Sequence, residues 1–313
     1  MGFSTHEYDW IRQATMATEA TQWEATITKE RTSRSWKSLA WRQFRSNRVA
    51  VISAIFLIAM YLVAIFATAI APYNPNEVDI SATNARPSAR HLLGTDEDGR
   101  DVLSRVIVGS RVSMTVGLIA MAIAVAIGSL IGGVSGYFSG IPDSILMRFT
   151  DGMMAIPYFF LVLIVVAVFG SSFQNIVIVI GVSTWMGVAR LVRAEVIRFR
   201  DQDFVLAARS IGVPNVRILI RHIMPHALSS IIVAATLGVA GAILLESALS
   251  YLGLGIRPPT SDWGAMLSNS QAYVFADPLM AVYPGICILL TVLAYNFIGD
   301  ALRDALDPQL LRG

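Results

Sequence analysis

Residue types that do chemistry are scarce in this chain, and their spacing limits what they can do. His222 and His226 stand four apart, which on one helix would put two imidazoles on the same face, as zinc binding requires. Pro225 interrupts helical hydrogen bonding between them, and Ile223 stands where a zinc protease carries its glutamate. Solvated or headgroup-facing histidines are expected, with no metal site. The chain has two lysines, Lys29 and Lys37, so no Gly-x-x-x-x-Gly-Lys-Ser/Thr loop exists to cradle a triphosphate. No Gly-x-Ser-x-Gly elbow is present either, which removes the signature of an α/β-hydrolase nucleophile. The single cysteine, Cys287, can form neither an intrachain disulfide nor a four-thiolate metal site.

The segment 190–226 carries the most organised polar and apolar pattern. Phe204, Ala207, Ala208 and Ile211 recur at the spacing of an amphipathic helix, with Asp203 placed to cap its start. Gly212-Val213-Pro214 then breaks the helix, glycine supplying backbone freedom and proline suiting the first turn of a new one. The stripe resumes in Val216, Leu219, Ile220 and Ile223, with Arg217 and Arg221 one turn apart on another side, and Pro225 is expected to end it. Two short amphipathic helices with a sharp break can lie on a membrane or form a rigid knob docked into a partner. The residues alone leave both open.

These patterns sit in a chain of 313 residues that is 55% hydrophobic and only 15% charged, with a mean hydropathy of +0.59. Average soluble proteins are about 25% charged, so an ordinary cytosolic enzyme is excluded and bilayer is the expected solvent. The net charge of +2 gives nucleic-acid binding no support. About 20 apolar residues cross a hydrocarbon core of ~30 Å, and six such runs are legible: 49–71, 112–134, 153–170, 175–191, 227–249 and 279–299. An all-α, polytopic fold with six transmembrane helices follows. With the N-terminus inside, 18 Lys and Arg fall on the inner segments and 6 on the outer ones, which places both termini in the cytoplasm.

Three divisions follow from the runs. Residues 1–48 form a cytoplasmic segment in which Trp36, Trp41 and Phe44 alternate with Lys37, Arg42, Arg45 and Arg48, suiting a helix that lies at the membrane interface. Residues 49–111 hold the first span and its outer loop, where an Asp98-Gly99 turn opens a helix with Asp101 near its start. Residues 112–313 form a five-helix core. Gly128, Gly132 and Gly136 recur every four residues, the spacing that lets helix backbones pack closely. Arg190 and Arg193 are expected to anchor the fourth span to headgroups.

At the 190–226 loop the chain resembles the permease subunits of dipeptide and oligopeptide ABC importers. That family's loop reads Glu-Ala-Ala, three residues, Gly, nine residues, Ile-x-Leu-Pro. Here Leu206-Ala207-Ala208, Gly212 and His222-Ile223-Met224-Pro225 keep the spacing, both alanines, the glycine and the proline, while Leu206 replaces the glutamate. Leu92-Leu93-Gly94-Thr95-Asp96, Gly99 to Arg105, Leu249 to Gly255 and Asp262-Trp263-Gly264 also resemble the family, as does the tail from Gly299 to Pro308. The resemblance spans about residues 40–311, whereas 1–35 match no familiar pattern.

The resemblance implies a type I ABC importer permease in a bacterial or archaeal inner membrane. Its implied partners are a second homologous permease, two ATP-binding subunits that carry the ATP and Mg, an external solute-binding protein and membrane lipid. No cofactor is expected on this chain, and nucleic acid is not among its partners. Phe204, Ala207, Ala208, Ile211, Gly212, Pro214, Arg217, Arg221 and Pro225 would form the surface that docks into the ATPase. Di- or oligopeptides are the expected substrates, and the rival reading is a secondary transporter or channel that needs no ATPase. Glu246 is the main carboxylate inside an apolar run. A charge at a helix centre costs ~2.5–3.5 kcal/mol on insertion scales, so Glu246 is expected either to line the translocation path or to be hydrogen-bonded between helices.

Overall fold

The computed structural model describes residues 36–306; expectations for 1–35 and for the end of the tail lie outside the described residues. These residues divide into two compact units, Arg48–Arg303 and a second to which 36–47 and 304–306 belong. In the second unit, α1 (Trp36–Ser46) stacks Trp41 on Phe44 with ring centroids 6.1 Å apart. Its last turn holds Arg45, where positive charge complements the helix dipole.

The larger unit is built from helices with almost no sheet, its one β-bridge among the described residues joining Thr95 to Asp101. In chain order these are α2 (Arg48–Ile65), α3 (Ala67–Ile70), α4 (Val102–Phe138), α5 (Gly140–Met154), α6 (Tyr158–Phe169), α7 (Phe173–Arg200), α8 (Asp203–Ser210), α9 (Asn215–Tyr251), α10 (Trp263–Ser270) and α11 (Leu279–Leu306). Helices α2, α4, α7, α9 and α11 are each long and apolar enough to cross a membrane. Their apolar residues also face outward: Ile52, Ile55 and Ile58 of α2 are all more than half exposed. Hydrocarbon is the solvent that such a surface matches.

The α4–α7 pair is the spine, and the glycines explain its closeness. A Cβ on Gly128 would lie 2.6 Å from Val188 Cβ, one on Gly132 would collide with the Ala189 carbonyl oxygen, and one on Gly136 would sit 2.8 Å from the Arg193 carbonyl oxygen. Around this seam Met121, Ala124 and Tyr137 of α4 join Val188, Val192 and Val196 of α7 and Ile231, Val239 and Ile243 of α9 in one core. Helix α2 is tied on at its C-terminus, where the Arg111 guanidinium of α4 donates to the carbonyls of Ala64 and Ile65 at 2.9 and 3.0 Å. A cation there satisfies carbonyls that the helix leaves unpaired.

Three expected spans change shape. The third, expected over 153–170, is broken: α5 and α6 meet at 79° because Pro157 cannot donate a helical hydrogen bond and disfavours helical backbone before it. At 12 residues, α6 is only ~18 Å long; it makes a sixth span only together with α5. The fourth runs on to Arg200, since Val192 and Val196 remain buried against α4 and its arginines find acidic partners. The fifth is the largest correction. Pro225 does not end a separate short helix; the chain stays helical from Asn215 to Tyr251 through a π-helical stretch at Ile218–Ile223. That local rewinding leaves Pro225 in the first turn of Met224–Tyr251, where a missing N–H costs little.

Candidate functional site

The loop between α7 and α9 is built on α8. Eight residues cannot hold a helix alone in water, so α8 depends on contacts with the bundle. Val205 and Ala208 supply them, buried in the same core as Ile218, Ile223 and Ala227. The N-cap residue is Gln202, which offers no side-chain bond. Asp203, expected to cap, instead occupies the first turn, where its charge suits the helix dipole.

The end of α8 explains Gly212. Gly212 N–H donates to the Arg209 carbonyl at 2.9 Å and Val213 N–H to the Ala208 carbonyl at 3.1 Å, the paired bonds of a Schellman motif. That motif needs a left-handed residue, and Gly212 has φ +78°. Among the described residues, nothing beyond its chain neighbours lies within 4 Å of where its Cβ would sit, so the requirement is conformational. Pro214 then precedes the first turn of α9. Tyr137 ties the loop to the end of α4, donating its hydroxyl to Asn215 Oδ1 at 2.8 Å while the Arg209 guanidinium stands 5.3 Å over its ring.

The apolar stripe expected on α8 separates into two faces. Ala208 and Ile223 turn inward, whereas Phe204, Ala207 and Ile211 are exposed with Leu206, Val216 and Ile220. Ile211 is 81% exposed. Arg209, Arg217, Arg221 and Pro225 are exposed as well. Val205 and Ile218, which anchor the loop, were not singled out in the sequence. Val205 continues the inward periodicity through Ala208, a signal hidden because the outward face is also apolar, and Ile218 lies past the Gly212 turn, on α9. The pairing of Asn215 with Tyr137 has no sequence signal.

The histidines do not converge on one another. His226 lies between Phe199 and Phe204, with ring centroids 5.0 and 5.1 Å away, and His222 Nδ1 is 3.5 Å from the Arg217 carbonyl oxygen. Among the described residues no group of three His, Cys, Asp or Glu could hold a metal ion. Arg190 and Arg193 find side-chain partners within the chain: Arg190 Nη2 donates to Asp151 at 2.5 Å, and Arg193 makes two bonds to Asp143 at 2.6 and 2.7 Å. Both acids are on α5, so these pairs hold the limb before the elbow against α7.

At the opposite end of the bundle the polar groups are internal. Asp101 caps α4, accepting from Ser104 N–H at 2.8 Å and from its hydroxyl at 2.7 Å, while its other oxygen meets His91 Nδ1 at 3.0 Å. Asp96 lies between Arg100 at 2.8 Å and Arg105 at 3.3 Å. Glu246 has no exposed surface. It accepts from Ser247 and Ser250 at 3.3 and 3.2 Å.

Long apolar helices packed into one bundle make the described residues those of a multi-pass membrane protein. The comparisons identify the family. The model of the family "Binding-protein-dependent transport system inner membrane component" matches residues 125–312, and that of the "N-terminal TM domain of oligopeptide transport permease C" matches 35–87. The chain is 41% identical over 304 residues to the glutathione transport system permease protein GsiD of Escherichia coli O6:K15:H31, covering 97% of this chain and 98% of that one. The GsiD of Shigella boydii serotype 4 matches equally. A chain of the MetNI methionine ABC transporter in an inward-facing conformation shares the fold, with a TM-score of 0.53 at 15% identity over 65% of this chain and 96% of that one. The chain belongs to the binding-protein-dependent transport system inner membrane component family. It is an ABC importer permease with the type I architecture, a multi-pass inner-membrane protein without a nucleotide site of its own, and the rival secondary transporter or channel is set aside.

Proposed function

We propose that this permease forms half of the translocation path of a small-peptide importer and couples to a cytosolic ATPase through loop 190–226. The observation that carries the coupling is the combination on one loop of an anchored inner face, Val205 and Ala208, with an exposed apolar face, Phe204, Ile211, Val216 and Ile220. Exposed apolar side chains on a rigid support mark a surface that another protein covers. The Gly212 turn and Tyr137 fix that surface to α4 and α9, so a push on it reaches the spans. Two ATP-binding subunits carrying ATP and Mg, a second permease and an external binding protein complete the assembly. Both termini lie in the cytoplasm, as the basic-residue asymmetry supports.

A peptide substrate is supported by the glutathione permeases that match almost the whole chain, since glutathione is a tripeptide thiol. Co-expression of the tagged chain with the neighbouring subunits tests the assembly, which should co-purify with two ATPase subunits. Recovery of a chain that transports peptide without an ATPase would overturn the reading. Calorimetry on the cognate binding protein with glutathione, dipeptides and longer peptides tests the substrate class. Tight binding of a non-peptide and of no peptide would remove that part.

A further inference from the structure

The end of the bundle away from the docking loop contains a carboxyl pair that the transport reading does not use. Ser261-Asp262-Trp263-Gly264 is keyed between α4 and α9. Trp263 is fully buried; its backbone N–H reaches Ser113 Oγ at 3.3 Å and its indole N–H donates to the Val106 carbonyl at 3.1 Å. Gly264 lies so close to α9 that a Cβ would sit 2.5 Å from the Ser247 carbonyl oxygen. Asp262 caps α10, with Oδ1 accepting from Ala265 N–H at 2.8 Å. Its Oδ2 is buried without a partner, as is the neighbouring Ser261 hydroxyl. The Asp262 carboxyl lies within hydrogen-bonding reach of Glu246, and both residues are 0% exposed.

Two carboxylates that touch in a dry interior cannot both be ionised, because neither water nor a cation offsets their repulsion. Among the described residues neither has a salt-bridge partner. The surroundings are hydroxyls: Ser113 from α4, and Ser247 and Ser250 from α9. The charged groups that face α10 from elsewhere are Asp96, Glu97 and Arg105, around Met266, Asn269 and Ser270. Those charges are engaged already, Arg105 and Arg100 with Asp96, and Glu97 with Arg100 and with Asn269 Nδ2. Asp262 Oδ2 has no hydrogen-bond partner; the Ser250 hydroxyl and the Gly264 N–H lie near the same carboxyl, and the acid beside it is Glu246. One proton between them satisfies both.

We propose that Glu246 and Asp262 share a single proton and act as positioning residues, latching the loop that precedes α10 onto α4 and α9. Glu246 is on the same continuous helix, α9, that begins in the docking loop, so the latch fixes one end of the element whose other end meets the ATPase. Burial pushes the Asp262 carboxyl above the usual range. A group whose proton affinity rises on folding contributes stability at low pH and loses it as pH rises through the raised value, so the latch opens as pH rises through that value.

The test uses the assembled importer reconstituted in lipid, and its functional half rests on the importer reading above. Below the raised value the wild type should show a carboxylic-acid C=O infrared band that titrates away as pH rises and is missing from the Glu246→Gln/Asp262→Asn double variant. Glu246→Gln and Asp262→Asn place a permanent amide donor across the pair. Their binding-protein-stimulated ATP hydrolysis should persist as pH rises, whereas the wild type falls by up to about tenfold per pH unit above the raised value, the dependence that loss of one proton gives. A wild-type spectrum without that band, or a band unchanged in the double variant, overturns the shared proton whatever the transport assays show. A Glu246→Gln importer that assembles yet loses stimulation at every pH overturns the positioning role, because it demonstrates a need for the acid itself. Loss of stimulation in wild type and variants alike, with the band behaving as expected, counts against the importer reading and leaves the shared proton established.

Discussion

The two ends of the bundle use their polar and apolar residues in opposite ways. At the end that carries the 190–226 loop, Phe204, Ile211, Val216 and Ile220 are exposed while the polar groups are spent on fixing the loop's shape. At the far end, Asp96, Asp101, Glu246, Asp262 and Trp263 are buried and bonded to one another or to the adjacent helices. The first arrangement suits a surface completed by another protein, the second a cap held by contacts within the chain. Substitutions should divide accordingly, with far-end changes destabilising the permease and loop-end changes uncoupling it.

The largest effect is expected at the far end. Gly99 has φ +77°, and a Cβ there would collide with the Asp79 carbonyl oxygen. Gly99→Val combines overpacking with a left-handed residue, roughly 2–5 kcal/mol in all, a large share of a stability of about 5–15 kcal/mol. Detergent extracts should show little monodisperse permease by fluorescence-detected size exclusion. Gly241→Ala, where among the described residues nothing outside its own helix backbone lies within 4 Å of the added Cβ, should stay within about 0.5 kcal/mol. If both variants extract equally well, the far end is not the rigid cap described.

The double variant Ile211→Asp/Ile220→Asp should reverse that pattern. Both side chains are more than 60% exposed, so thermal stability should change by less than about 0.5 kcal/mol. Retention of the ATPase should fall by about thirtyfold or more, ~2 kcal/mol of interface energy, read as the fraction co-purifying with a tagged permease. Normal retention would remove this face from the interface.

This division was only half legible in the sequence. Spans show through because apolar runs of the right length need no tertiary context, and the Gly212 turn shows through because glycine before proline punctuates any helix. Which way a side chain faces depended on partners far along the chain. Ala208 points inward because α9 returns beneath α8, and Arg193 stays helical because Asp143 lies across from it, 50 residues earlier. Pro157 and Pro225 show the same limit. One breaks its span and the other does not, and the difference lies in the π-helical stretch before Pro225, which no local pattern announces. The Glu246–Asp262 contact joins residues from a span and a loop whose register the buried Trp263 and the packed Gly264 decide.

A smaller effect belongs to Gly212 itself. Its φ of +78° costs another L-residue about 1 kcal/mol or slightly more, and no steric clash within the chain adds to it. Gly212→Ala should reduce the ratio of peptide uptake to ATP hydrolysis about fivefold without lowering the amount of permease in the membrane. Gly212→Asn should fall between the two, since asparagine tolerates the left-handed region. An alanine variant indistinguishable from wild type would separate the turn from coupling.

The smallest expected effects test the elbow. Arg190–Asp151 and Arg193–Asp143 both hold α5 on α7, but their surroundings differ. The Arg190 pair has side chains 48% and 58% exposed, so solvent and salt screen it, and a double-mutant cycle should give at most about 0.5 kcal/mol. The Arg193 pair is bidentate, and Asp143, whose side chain is 16% exposed, also accepts from the Ser135 hydroxyl. Charge-assisted paired bonds in a drier site should couple by about 1–2 kcal/mol. Raising salt should weaken the first pair and spare most of the second. Equal coupling energies would show that α5 is held by net charge along its face and not by the Asp143 contact, leaving the angle between α5 and α6 to Pro157 alone.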